Sequence, residues 1–158
     1  MSQGKVAVIT GATSGVGPAT ASGLAAAGFE VAICGRRAEL LDEVAKESGA
    51  AFSAACDVAD ADSVASFFSD VRESLGRVDV VFNNAGRFAP RAVVGDVELD
   101  VWRDVVNTNL NGAFYVAREA FRAMRDQSPQ GGRIINNGSI SAYVPRPEAA
   151  AYNATKHA

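Results

Sequence analysis

The sequence predicts an α/β fold, a doubly wound parallel sheet in three α/β/α layers. Short apolar runs rich in β-branched residues alternate with longer runs whose apolar residues recur at helical spacing. A glycine-rich turn follows the first of these runs directly, as it does where a strand feeds a helix in such folds. The 158 residues are 48% hydrophobic and 21% charged, enough for one globular domain with a real core and too few for two. Strands that alternate with helices assemble as a parallel sheet, because right-handed crossovers place the helices on both faces.

Strands are expected at residues 5–10, 30–34, 51–55, 78–82 and 133–136, each short and bounded by Gly, Asp, Asn or Arg. Helices are expected at 18–27, 38–48, 61–75 and 97–124, the last with a break near 109–112. Pro18 suits a first helical turn, where its missing N–H removes no hydrogen bond. Gln130-Gly131-Gly132 reads as a turn into the fifth strand and not as a domain boundary. A final short helix carries Tyr152 and Lys156.

Composition narrows the function. The net charge is -3, with no basic run and no interleaved aromatic stripe, so neither nucleic acid nor an anionic membrane surface is expected as partner. No leader-like segment opens the chain and no apolar run reaches about 18 residues, which supports a cytoplasmic protein over a secreted or membrane-spanning one. Cys34 and Cys56 are the only cysteines and lie among apolar residues, so they read as reduced core residues. His157 is the only histidine and has no second ligand spaced to join it, so no metal is expected. A small-molecule partner remains.

The first turn reads Thr10-Gly11-Ala12-Thr13-Ser14-Gly15-Val16-Gly17. Glycines at this place let backbone N–H groups approach a pyrophosphate, whose charge a helix N-terminus favours, although a glycine cluster can also be no more than a tight turn. After the second strand, where an acid would hold a ribose hydroxyl, stand Arg36 and Arg37. Their planar guanidiniums suit a 2′-phosphate, which favours NADP(H) over NAD(H), while two solvated residues opening a helix would look the same. Tyr152 and Lys156, four apart, share a helix face, so the ammonium favours the phenolate and the phenol can exchange a proton. Taken alone, the pair reads more readily as a half-buried tyrosine beside a solvated surface lysine.

Together these residues resemble the short-chain dehydrogenase/reductase family. Thr10-Gly11-x-x-x-Gly15-x-Gly17, Asn83-Asn84-Ala85-Gly86, Asn109 followed by Gly112, Ser139, and Tyr152-x-x-x-Lys156 stand in the family's order and spacing. The resemblance implies an NAD(P)-binding Rossmann-like domain over residues 1–158, with Gly11, Thr13, Ser14, Gly15, Val16, Gly17, Asn84, Ala85 and Gly86 along the cofactor and Asp57 and Val58 at its adenine. Asp57 could alternatively cap the next helix. Asn83 is expected to tie the sheet together. In the implied chemistry Tyr152 is the general acid or base for a secondary alcohol or its ketone, Lys156 tunes it and holds the nicotinamide ribose, Ser139 binds the substrate oxygen, and Asn109 holds a relay water. The local Asn136-Asn137-Gly138-Ser139 departs from the family's usual Asn-Ile-Ser-Ser. Family members run to about 250 residues, so the fold is expected to lack the last strands, leaving the fifth strand an open edge. A homo-oligomer paired through the helices near Gly112 and Tyr152 is implied as well. The alternative reading is a non-catalytic nucleotide-binding or assembly subunit.

Overall fold

The computed structural model describes residues 4–158. Five parallel strands form one sheet in the order β3-β2-β1-β4-β5. They are β1 (Val6–Thr10), β2 (Glu30–Gly35), β3 (Phe52–Ala55), β4 (Val80–Asn83) and β5 (Arg133–Asn136). The helices are α1 (Gly17–Ala26), α2 (Ala38–Ser48), α3 (Ala61–Leu75), α4 (Leu99–Val106), α5 (Gly112–Asp126) and α6 (Ala150–His157). Strand order reverses beside β1, so the first βα turn and the loop after β4 face one crevice. That is where open sheets of this kind bind ligands.

β1 is buried at all positions, as a central strand covered on both faces must be. Its side chains divide by alternation. Val6 and Val8 pack with Phe67, Phe68 and Val71 of α3 and Val116 and Ala120 of α5. Ile9 packs on the opposite face with Ala21 of α1 and Leu41 and Val44 of α2. These two apolar layers, one on each side of the sheet, are the α/β/α sandwich that the alternating pattern predicts.

Several boundaries shift by a residue or two from the sequence expectation, and three local features have a clear cause. β4 begins at Val80 and not at Val78, because the Val78 backbone is taken by a side chain: its N–H donates to Gln127 Oε1 at 2.9 Å and its carbonyl accepts from Gln127 Nε2 at 3.0 Å. The cap of α3 is Asp60, whose Oδ1 accepts from the N–H groups of Asp62 and Ser63; Asp57 instead closes a turn on the Ala59 N–H. The expected break at 109–112 is a π-helical turn at Asn107–Asn111, which joins α4 to α5 without interrupting the helix.

Asp79 fastens the start of the sheet. It accepts from the Val6 N–H at 2.9 Å and from Arg77 through two bonds of 2.8 Å. Burial pushes this carboxyl up, but the Arg77 guanidinium and the Val6 N–H outweigh it and hold the group below the usual aspartate value. Cys34 and Cys56 are free thiols in the core. The hydrogen bond between them, with burial, pushes Cys34 up; the same bond holds Cys56 down, helped by Ser63. β5 is an edge strand on which Ile135 is 44% exposed. Among the described residues no helix is long and apolar enough to cross a membrane, and no group of side chains is arranged to hold a metal ion.

Candidate active site

The crevice begins at the turn between β1 and α1. Gly11 has φ +66°, and a Cβ there would stand 2.8 Å from the Ala85 Cα; one on Gly17 would stand 2.5 Å from the Gly11 carbonyl oxygen. Only glycine lets α1 and the loop after β4 close on this turn. Thr10 Oγ1 accepts from the N–H groups of Asn84 and Ala85, both at 3.0 Å, and Asn84 Nδ2 donates back to the Thr10 carbonyl at 3.0 Å. The Asn84-Ala85-Gly86 segment is thereby pinned against the glycine turn. Ser14, Gly15 and Val16 remain exposed at the start of α1.

One end of the crevice is lined by the turn together with Arg36, Arg37, Asp57, Val58 and Gly86. Arg37 reaches across to Thr13, donating to Oγ1 at 2.9 Å and to the carbonyl at 3.2 Å. Arg36 keeps its guanidinium open. Cys56 also borders this end. The other end is lined by Gly15, Val16, Phe88, Asn137, Tyr152 and Lys156. Both ends include Gly11, Ser14 and Gly86, so they are continuous.

α6 is short, and its side chains hold it in place. Lys156 Nζ donates to the Asn137 carbonyl at 3.0 Å and lies 5.8 Å from the centre of the Tyr152 ring. Thr155 Oγ1 accepts from Asn109 Nδ2 at 3.2 Å. Asn109 also grips the backbone of Arg87 both ways, accepting its N–H at 2.8 Å and donating to its carbonyl at 3.0 Å. Both N–H donors of the Asn109 amide are therefore used. Asn83 ties the sheet as expected, donating to the Ala113 carbonyl and to Asn136 Oδ1.

Ser139 lies just past β5 and caps the turn Ile140–Ala142, its Oγ accepting the Ser141 N–H at 3.1 Å. It is not among the residues that line the Tyr152 end of the crevice. Four residues with a part in this geometry were not anticipated. Phe88 stacks on Tyr152 with ring centres 4.3 Å apart, Arg146 stands over Phe88, Asn137 holds Lys156, and Thr155 links α6 to the π turn. Only Phe88 has a sequence signal, a large aromatic two residues after a glycine in a polar loop.

A parallel sheet with a glycine turn at its switch point, opening beside a Tyr-Lys helix, defines a nucleotide-binding α/β protein. The short chain dehydrogenase family model matches residues 5–158, and the chain belongs to that family. It is 37% identical to a 3beta-hydroxysteroid dehydrogenase of Mediterraneibacter gnavus, over 98% of this chain and 56% of that protein. It is 35% identical to an NADP-dependent (R)-specific alcohol dehydrogenase of Lentilactobacillus kefiri, over 99% of this chain and 62% of that one. Among solved structures, NAD+-bound xylitol dehydrogenase matches with a TM-score of 0.92 at 34% identity, over 99% of this chain and 61% of that chain. A variant of actinorhodin polyketide ketoreductase with NADPH matches with a TM-score of 0.91 at 36% identity, over 99% and 62%. The chain thus spans roughly three fifths of the length of these proteins.

Proposed function

We propose that this protein is an NADP-dependent oxidoreductase that interconverts a secondary alcohol and its ketone. The observation that carries the reading is the continuity of the crevice, with Arg36 and Arg37 at one end and Tyr152 and Lys156 at the other. The residues fit a dinucleotide: the turn is stripped to glycine where backbone must approach closely, and three exposed residues open a helix N-terminus suited to a pyrophosphate. Gly11, Thr13, Ser14, Gly15, Val16 and Gly17 would hold the phosphates, Asp57 and Val58 the adenine, and Asn84, Ala85 and Gly86 the adenosine side. Arg36, with no carboxylate partner among the described residues, and Arg37 favour NADP over NAD.

The bound nicotinamide would supply the hydride. The protein's own tasks are to place the carbonyl, protonate its oxygen and keep water away. Tyr152 is the proton donor; Lys156, anchored by the Asn137 carbonyl, brings positive charge beside the phenol and would hold the ribose of the bound cofactor. Ser139 spends a lone pair on the Ser141 N–H and keeps its O–H to donate to the substrate oxygen. Asn109 fixes the loop over the site through Arg87 and retains one Oδ1 lone pair for a water near Lys156. Phe88 covers the Tyr152 ring and excludes solvent.

The reading includes a cytoplasmic location, which two reduced thiols in contact support. It also includes a homo-oligomer, supported by Phe114 and Phe121, 62% and 61% exposed on α5. A panel of ketones incubated with NADPH or NADH tests the function. Consumption of NADPH in preference to NADH with at least one ketone is expected. Tight NADPH binding without consumption of any ketone would instead favour a nucleotide-binding assembly subunit.

A further inference from the structure

Tyr152, Phe88 and Arg146 form a column of three side chains. Phe88 lies on the phenol ring at 4.3 Å with 24° between the planes, and the Arg146 guanidinium stands 5.8 Å above the Phe88 ring. The two loops that carry this column are fixed by matching devices. Asn109 grips the backbone of Arg87, next to Phe88. Asn153, next to Tyr152, grips the backbone of Arg146, accepting its N–H at 3.1 Å and donating to its carbonyl at 2.8 Å. The loops are joined to each other where the Ala92 N–H donates to the Glu148 carbonyl at 3.0 Å, with a parallel bridge between Ala92 and Ala149. Glu148 sits at φ +58°, a left-handed conformation that outside glycine persists where the surroundings enforce it.

Charge distinguishes Arg146 from its neighbour. Arg87, at the foot of the column, is neutralised by Asp104 at 2.8 Å. Among the described residues the Arg146 side chain has no carboxylate partner and no hydrogen-bond acceptor; it stands over the Phe88 ring and is exposed. A ring face orients a guanidinium without consuming its N–H groups, so the donors that pair with a carboxylate stay free. A preoriented, unneutralised cation is therefore held against the ring that stacks on the phenol.

From this geometry we infer that Arg146 is a specificity residue that recognises an anionic group on the substrate, and that the protein acts on oxo acids, compounds bearing a carboxylate as well as the reacting carbonyl. The inference rests on the reading of Tyr152 as the proton donor. Phe88 is the spacer, keeping the carboxylate end apart from the carbonyl end while closing the site over the phenol. Arg87 plays no part in the charge recognition because Asp104 already satisfies it.

The test compares 3-oxohexanoate with its methyl ester, which share the carbonyl and differ in the charge. Arg146→Gln is expected to raise KM for 3-oxohexanoate about tenfold or more, the loss of a charge-assisted contact, with kcat held within about twofold. KM for the ester should stay within about twofold, and Arg146→Lys should restore part of the loss for the acid. An equal loss for acid and ester, or no loss for either, overturns the inference and leaves Arg146 as packing for Phe88. If the unaltered protein turns over neither compound, the ketone panel decides the oxidoreductase reading separately. Titration calorimetry of 3-oxohexanoate into the NADP+-saturated protein then decides for Arg146. Binding weakened about tenfold or more by Arg146→Gln supports the inference, and unchanged or undetectable binding to the unaltered protein overturns it.

Discussion

Arg36 and Arg37 differ in how they are held, and that difference makes a prediction. Arg37 is fastened to Thr13 by two hydrogen bonds, while Arg36 is open in the crevice. On the proposed reading Arg36 answers the 2′-phosphate directly and Arg37 shapes the turn beneath it. Replacing Arg36 by Ala should therefore weaken NADPH about tenfold or more and leave NADH within about twofold, whereas Arg37→Ala should weaken both. Equal effects of Arg36→Ala on the two dinucleotides, read from binding titrations, would remove the argument for NADP. At this scale the sequence was informative about identities and silent about commitments. It named Ser139 and Asn109, but only the fold shows that Ser139 caps a turn and that the Asn109 donors are spent on Arg87 and Thr155. Phe88 and Arg146 escaped notice because residues 58 apart in sequence meet only through the docking of two loops.

The elements were legible to within a residue or two wherever periodicity or capping chemistry spoke. α2 and α3 fall where expected, since each combines an amphipathic repeat with a glycine just past its end. The π turn was legible only as a disturbance, because its register shift depends on Asn109 reaching both Arg87 and α6. The start of β4 was hidden, for the side chain that takes the Val78 backbone lies 49 residues away. Where β1 begins, Asp79 offers a stability test. Its folded-state pKa is depressed, so its contribution is fully present above the unfolded carboxyl value, about 3.9, and is lost as pH falls through the folded one. Asp79→Asn should destabilise the protein by about 1.5–3 kcal/mol near neutrality in denaturant unfolding, a range typical of hydrogen bonds to a charged group. The gap between variant and parent should close at pH values below that window. A gap that stayed constant into strong acid would show that packing, not charge, is lost.

At the scale of the molecule, the parallel sheet puts the glycine turn, the loop after β4 and α6 at one crevice although they come from distant parts of the chain. The alternation of strands and helices made this architecture readable, since right-handed crossovers leave few ways to order five parallel strands. Less readable was how α6 would be held. Asn109, Asn137 and Arg146 each tie it to a different segment. The central claim is that this assembled crevice brings NADP and a ketone together under the control of Tyr152. Its most direct test is to follow deuterium from NADPH carrying deuterium at both C4 positions into the product alcohol by mass spectrometry, with the unaltered protein and Tyr152→Phe. The account predicts one deuterium on the carbinol carbon with the unaltered protein, formed about 100-fold or more slowly by the variant. Label absent from the alcohol, or an equal rate with phenylalanine at 152, would contradict it.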